Sequence, residues 1–307
     1  MIWFEWKKIL NGRVLLCFVV IHLAFLMLFW TQNSSVQKGR NTAKQQEIYQ
    51  KIGGRLTAST AKEIEELKQR KDAVLEEEAQ KEDEYAQGKI SVDEYMKYRD
   101  EYHMMNDNEA IDMIYEKYET ARKNGSWMIF DGYYDQLFRM DRTQWGLMLS
   151  VFLLIVLLVC CEPKELLATI SVTREGRRGL WGAKLRTILM ATLIFVILFA
   201  VEELMVIRQF SPLSYLDAPI QSISCLAGKH ITISIAHWYL LTLLLRVVNT
   251  MIFAVVTYSI LYFIQNKKVG ALILAVLIFG PVLAAAFMQY DTWNIIAKWI
   301  MVYPVIS

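Results

Sequence analysis

Cysteine and histidine are scarce, and no catalytic motif accompanies them. The 307 residues contain four of each. Cys17, Cys160 and Cys161 fall inside or at the end of apolar runs, Cys225 lies in a short loop, and the long hydrophilic stretch has none. Without a CxxC pair or a His/Cys cluster, neither a disulfide framework nor a zinc site is expected, and the thiols read as buried packing groups. His22, His103, His230 and His237 are scattered, so each reads as a surface or packing side chain. The sequence lacks GxxxxGK[ST], GxSxG and HExxH, so ATP binding by this chain alone and enzymatic activity are not expected. No catalytic residue, metal or cofactor is assigned. A lipid-modifying enzyme would need His, Asp and Glu clustered at one interface, which is also missing. A polybasic arm is absent too, which argues against a nucleic-acid partner.

Apolar length is abundant. The chain is 55% hydrophobic and 12% aromatic, with a mean hydropathy of +0.27, above the ~45–50% apolar content of soluble globules. The excess is gathered into five runs near 14–32, 144–161, 187–207, 244–265 and 269–288. Each approaches or exceeds the roughly 17–25 residues that cross a bilayer core of about 30 Å. The expected fold class is therefore an all-α membrane protein of about five transmembrane helices. The first run has a basic flank in Lys7, Lys8 and Arg13. Its Leu26-Met27-Leu28-Phe29-Trp30 end is too bulky for signal cleavage, so it reads as an uncleaved anchor.

Charge sets the expected sidedness. Residues 33–144 contain 23 acids and 18 bases (net −5), and the remainder contains 8 acids and 15 bases (net +7). Bases precede the first run, lie between the second and third, and recur as Lys267 and Lys268 between the fourth and fifth. Only Arg208, Lys229 and Lys298 occupy the opposite short segments. The positive-inside rule then gives a cytoplasmic N-terminus and an extracytoplasmic 33–143 segment.

The domain reading follows from this. Residues 1–12 form an interfacial elbow helix whose Trp3, Phe4, Trp6, Ile9 and Leu10 dip into the headgroup plane of membrane lipid, and 13–32 form the first span. Residues 33–143 form an extracytoplasmic, coiled-coil-like helical hairpin with a membrane-proximal aromatic segment. Its first helix runs over about 42–86, with Ile48, Ile52, Leu56, Ile64, Leu67, Val74 and Leu75 at helical spacing. Gln87-Gly88-Lys89 breaks the pattern, and Ser91 with Asp93 and Glu94 starts a second helix that runs to about 123. Trp127 to Tyr134 read as an aromatic patch at the membrane surface. Residues 144–290 hold spans two to five, with 210–238 too broken to span, and 291–307 form an interfacial segment.

Ionisable residues at membrane depth are functional candidates by default. Glu202 and Glu203 end the third run and Arg246 opens the fourth, all expected near the outer interface. They read either as a pair holding two helices together, which is favoured, or as the lining of a path.

Between the second and third runs lies Glu162-Pro163-Lys164-Glu165, followed by TISVTREGRRGLWGAKL over 169–185. Counted through Arg186, this stretch has six bases (Lys164, Arg174, Arg177, Arg178, Lys184, Arg186) against three acids. It resembles the cytoplasmic loop of the permease subunits of type-2 ABC exporters. In that pattern a Glu is followed by Thr or Ser, then Gly-Arg, then a Lys entering the next span. The matching positions are Glu162, Ser171, Thr173, Gly176-Arg177 and Lys184. The elbow helix and the long insertion after the first span fit the same family. Two departures stand out: Leu166 replaces the usual glycine, and five spans are seen where the family has six. The missing span reads as a truncated frame or a shortened subunit that pairs with a complete one, and the first is slightly favoured.

The resemblance implies that residues 162–186 form a coupling loop docking on a separate ATPase, with Glu162, Thr173, Gly176, Arg177 and Lys184 as contact candidates. It implies a permease subunit exporting a peptide, antibiotic or lipid across a bacterial plasma membrane. The implied partners are an ABC ATPase subunit, a second permease copy or paralogue, and membrane lipid. The rival is a non-transporting membrane sensor or scaffold whose external hairpin binds an envelope partner.

Overall fold

The computed structural model describes residues 2–37, 40–105, 108–139, 141–160, 174–211, 213–229, 231 and 233–288. Among them the regular structure is helical: α1 (Ile2–Ile9), α2 (Gly12–Gln37), α3 (Arg40–Ile52), α4 (Ala58–Ala86), α5 (Val92–Met105) and α6 (Asn108–Asn124). These are followed by α7 (Gly132–Arg139), α8 (Asp141–Cys160), α9 (Arg174–Phe210), α10 (Ile235–Phe263) and α11 (Lys267–Met288). Among the described residues, four stretches are long and apolar enough to cross a membrane: Gly12–Gln37, Thr143–Cys160, Arg178–Phe210 and Ile235–Phe263. The fifth expected span falls on α11, whose side chains are described only as far as Gly280. Helices suit such a role because every interior backbone N–H and C=O is paired within the segment.

The chain divides into two compact units. The first, residues 1–32, 136–212 and 239–307, is the apolar bundle. In it α8 is the central helix, with 67% of its span window buried against 17% for α2. Leu147, Val151, Leu154, Ile155 and Leu158 recur at helical spacing on one face of α8. In the same core lie Ile188, Phe195 and Phe199 of α9 and Ala254, Tyr258 and Leu261 of α10. Gly146 permits the approach of α2, since a Cβ there would fall 2.6–2.9 Å from the Phe25 ring. Small residues do this wherever apolar helices must pack closely.

A short N-terminal helix is present where one was expected, as α1, and packs on α8 and α9. Ile9 enters the bundle core while Trp3 and Phe4 stay exposed. Glu5 is also buried, both carboxylate oxygens accepting from Lys8 Nζ at 3.0 and 3.1 Å. The basic stretch from Arg174 is no separate short helix. It continues as the first turns of the 37-residue α9, which at 1.5 Å per residue is about 55 Å long. Gly176, Gly179 and Gly182 do not interrupt it, because glycine inside a long packed helix costs only about 1 kcal/mol relative to alanine.

The second unit, residues 33–135 and 213–238, contains α3–α6. The single first helix expected over 42–86 is instead two, α3 and α4, separated at Gly53–Thr57. Gly54 adopts φ +125°, and its N–H and C=O pair with the C=O and N–H of Met128 at 2.8 and 2.9 Å. Thr57 then caps α4, its hydroxyl accepting from the Thr60 N–H. The second expected helix appears as α5 and α6 on either side of 106–107, which lie outside the described residues. Its Ser91 start is present, Ser91 Oγ accepting from the Glu94 N–H at 3.2 Å. Ile48, Tyr49, Ile52, Ile64, Ile114, Tyr118 and Met128 form the core. The same backbone pairing holds Met128 in that core. Of the segment expected as an aromatic patch at the membrane surface, Met128, Ile129, Tyr133 and Tyr134 are buried within the protein, while Trp127 and Phe130 are partly exposed.

Two outcomes are expected. A Cβ at Gly53 would meet the Tyr49 carbonyl at 2.4 Å and the Tyr215 hydroxyl at 2.8 Å. Gly53→Ala should therefore cost about 1–3 kcal/mol of stability, read as earlier protease cutting at the α3–α4 corner. Asp112 of α6 is held below the usual carboxylate range, first by its hydrogen bond from Lys71 and then by Lys68, both on α4. A lowered folded-state value means that the tie is in place above the unfolded-state value of about 4 and is lost as pH falls through the folded one. Hydrogen exchange of α4 and α6 in the full chain should accelerate on acidification below that range. Asp112→Asn should remove this component of the pH dependence.

Candidate functional site

The bundle carries charge near each end of its apolar core. At one end, Arg246 of α10, Glu203 of α9 and Gln144 of α8 meet, exposed by 1%, 2% and 3%. Arg246 Nη1 donates to both Glu203 oxygens at 2.9 and 3.0 Å, and Nε donates to Gln144 Oε1 at 3.0 Å. One cation thus ties three helices together. Glu202, the neighbouring residue on α9, instead meets His22 of α2, with Nδ1 at 3.2 and 3.3 Å from its two oxygens. The His22 ring also lies 4.3 Å from that of Phe199, centroid to centroid. Consecutive helix residues point about 100° apart, so the two carboxylates reach different neighbours.

At the other end Lys184 of α9 is 2% exposed, and its ammonium donates to the Leu158 carbonyl near the C-terminus of α8 at 2.6 Å. A cation near the C-terminal end of a helix complements the helix dipole. Nearby on α9, the Trp181 carbonyl accepts from Tyr258 Oη at 3.2 Å. Gln144 and Leu158 are 14 residues apart on α8, so the polar ends are separated by about 20 Å of apolar packing.

The residues singled out from sequence therefore divide. Glu203 and Arg246 come together, and Glu202 is directed elsewhere. Glu162 and Thr173 lie outside the described residues. Gly176 and Arg177 lie in the first turn of α9, where the Arg177 side chain is outside the description. Lys184 is turned into the bundle. Gln144 was not singled out, and His22 was read as a surface or packing side chain, which it is against Phe199, while its contact with Glu202 was not foreseen. His22 sits within a long apolar run and Gln144 at the edge of one, just after Asp141, Arg142 and Thr143, and in neither place has a single polar residue a periodic signature, although a histidine within an apolar run is itself a signal that a partner is needed.

The second unit has a further polar site. Lys117 Nζ donates to the Ile129 carbonyl at 2.6 Å and lies 2.8 Å from Asp131 Oδ1. Burial pushes the Lys117 ammonium down while Asp131 opposes the shift, and burial with Asp131 pushes the Tyr49 hydroxyl up. These groups border a cavity of about 360 Å³ lined also by Gln45, Gln221 and Ser224. Among the described residues, no three His, Cys, Asp or Glu side chains gather as a metal site would require.

Comparison with family models, with curated proteins and with solved structures finds no match.

Breaking a buried pair strands a charge, so Arg246→Ala or Glu203→Ala should each lower stability by about 3–5 kcal/mol. Replacing both with apolar residues of similar size, Arg246→Met with Glu203→Leu, should recover most of that loss. Thermal unfolding of the full chain in detergent, followed by tryptophan fluorescence, measures this. Recovery identifies a pair whose role is packing; stability regained without function identifies one with a further role.

Proposed function

We propose that this chain is the transmembrane permease subunit of an ABC exporter, with its N-terminus cytoplasmic and the 33–143 segment extracytoplasmic. In this reading α11 is the fifth span, and residues 162–186 with the start of α9 face a separate ATPase. Two permease subunits enclose the path, and the partner's ATP cycle rocks the spans between two states that differ in their contacts. The cargo class is a peptide, antibiotic or lipid, and the location is the plasma membrane of a bacterium. The observation that carries this reading is the continuous α9. Its first turns hold Arg174, Arg177 and Arg178, and the same helix runs through an apolar span to Glu203. A push on the basic end of a rigid helix is delivered at the buried ion pair at its far end.

The rival sensor or scaffold has one specific observation in its favour, the cavity beside Lys117 and Asp131. Affinity purification from the native membrane separates the two readings. An exporter subunit should bring down an ATPase with a phosphate-binding GxxxxGK[ST] loop, and its reproducible absence overturns the proposal. Arg177→Glu should reduce that association about tenfold or more while membrane insertion is kept, a loss of ~1.4 kcal/mol or more. Lys184→Glu tests something else, since Lys184 is buried against Leu158. It should impair folding of the bundle itself.

A further inference from the structure

The cavity beside Lys117 and Asp131 lies within the second unit and keeps unspent polar groups in its wall. Met113, Glu116 and Lys117 border it from one face of α6, at the three- and four-residue spacing of a helix. Gln221 also lines it and is 9% exposed, its amide nitrogen donating to the Lys229 and Ile231 carbonyls at 3.1 and 2.6 Å. Those two bonds fix which end of the amide is which, and its oxygen is left without a partner among the described residues. Ser126, 4% exposed, donates its backbone N–H to Asn124, and its hydroxyl is likewise unspent. Neither oxygen belongs to the polar atoms sealed inside the fold, so both keep surface open to the cavity. Both Asp131 oxygens are engaged, one by the Lys117 ammonium at 2.8 Å and one by the Ser224 N–H. Glu116 has no ion-pair partner among the described residues, so Glu116, Lys117 and Asp131 leave the wall with a net charge of −1.

We propose that this cavity binds an ammonium group carried on a short aliphatic stem. The charge selects a cation. An anion would face the unpaired Glu116, while Lys117, the one basic side chain of the wall, is already spent on Asp131 and the Ile129 carbonyl. The free oxygens of Gln221 and Ser126 accept hydrogen bonds, and an ammonium has three N–H groups to give, with Glu116 as its counter-charge. A divalent metal ion has too few ligands here, since no three His, Cys, Asp or Glu side chains gather among the described residues. A bare monovalent ion would leave most of the cavity unfilled. Its volume of about 360 Å³ falls at the lower end of the roughly 300–1,000 Å³ of small-molecule pockets. Met113 and the Tyr49 ring give the stem an apolar wall. The inference rests on neither reading of the chain as a whole, and its test needs no ATPase.

The test uses the full chain in detergent, with hydrogen exchange of residues 113–131 and 220–227 followed by mass spectrometry. Butylammonium chloride should slow exchange there about threefold or more relative to sodium or potassium chloride at equal ionic strength. Butanol should have no effect, and tetramethylammonium chloride, which carries the charge without an N–H, should protect far less. Glu116 is exposed, so Glu116→Gln should keep the fold while raising the concentration for half-protection about fivefold or more. Ser126→Ala should weaken protection with Glu116 still in place. No protection of the unmodified chain overturns the proposal, as does equal protection by butanol or tetramethylammonium. Undiminished protection of both variants also overturns it, because the amine then binds elsewhere. Trialanine amide and its N-acetylated form tell the sources apart. Protection by the free peptide that is lost on acetylation assigns a peptide amino terminus, and protection by butylammonium alone assigns a free amine.

Discussion

Arg246 brings a full positive charge to a place where almost no solvent reaches, and three helices are arranged around that fact. A guanidinium in such surroundings is tolerable only when its hydrogens find acceptors, and Glu203 and Gln144 come from two other helices to provide them. Dispersion between leucines and isoleucines would hold α8, α9 and α10 together in many rotations and registers. The charge admits one: Glu203 must face α10, Gln144 must reach the same point, and Glu202 is thereby turned toward α2. The apolar core supplies most of the contact area, and the ion pair selects among the packings that area would permit.

The other end of the bundle obeys the same rule with a different acceptor. Lys184 answers a carbonyl of α8, so α8 and α9 are tied at both ends, through Leu158 and through the Arg246 cluster. The basic character that marks the start of α9 is therefore of two kinds. Arg178 is exposed and Lys184 is spent on the fold. In the proposed exporter reading, a docking surface would draw on the former kind. Under the proposed exporter reading, Lys184 contributes by keeping the helix straight and attached, and Arg177 is the better probe of contact.

Much of the architecture was legible from residues in order. The short first helix, four helices long and apolar enough to cross a membrane, the Ser91 cap and the pairing of Glu203 with Arg246 follow from hydropathy, capping chemistry and the rule that charges beside apolar runs find partners. The division of 42–86 into two helices was missed because its apolar spacing continues across the break. Gly53-Gly54 was the available signal, but only the backbone pairing of Gly54 with Met128, 74 residues away, makes the break necessary. That pairing also holds Met128 in the core of the second unit. Gln144 was overlooked, and the contact of His22 with Glu202 was not foreseen, because a lone polar residue has no period to reveal its partner.

The sequence alone determined that the chain is helical, that it holds runs long enough to cross a membrane, and where charge is confined. These are local properties, set by composition within windows of about 20 residues. The tertiary structure decided which carboxylate answers Arg246, that Lys184 faces inward, and that Gln144 reaches the same guanidinium. Those outcomes depend on helix rotation and register, which are fixed jointly by contacts between residues 26 to 180 positions apart, and no single window contains them.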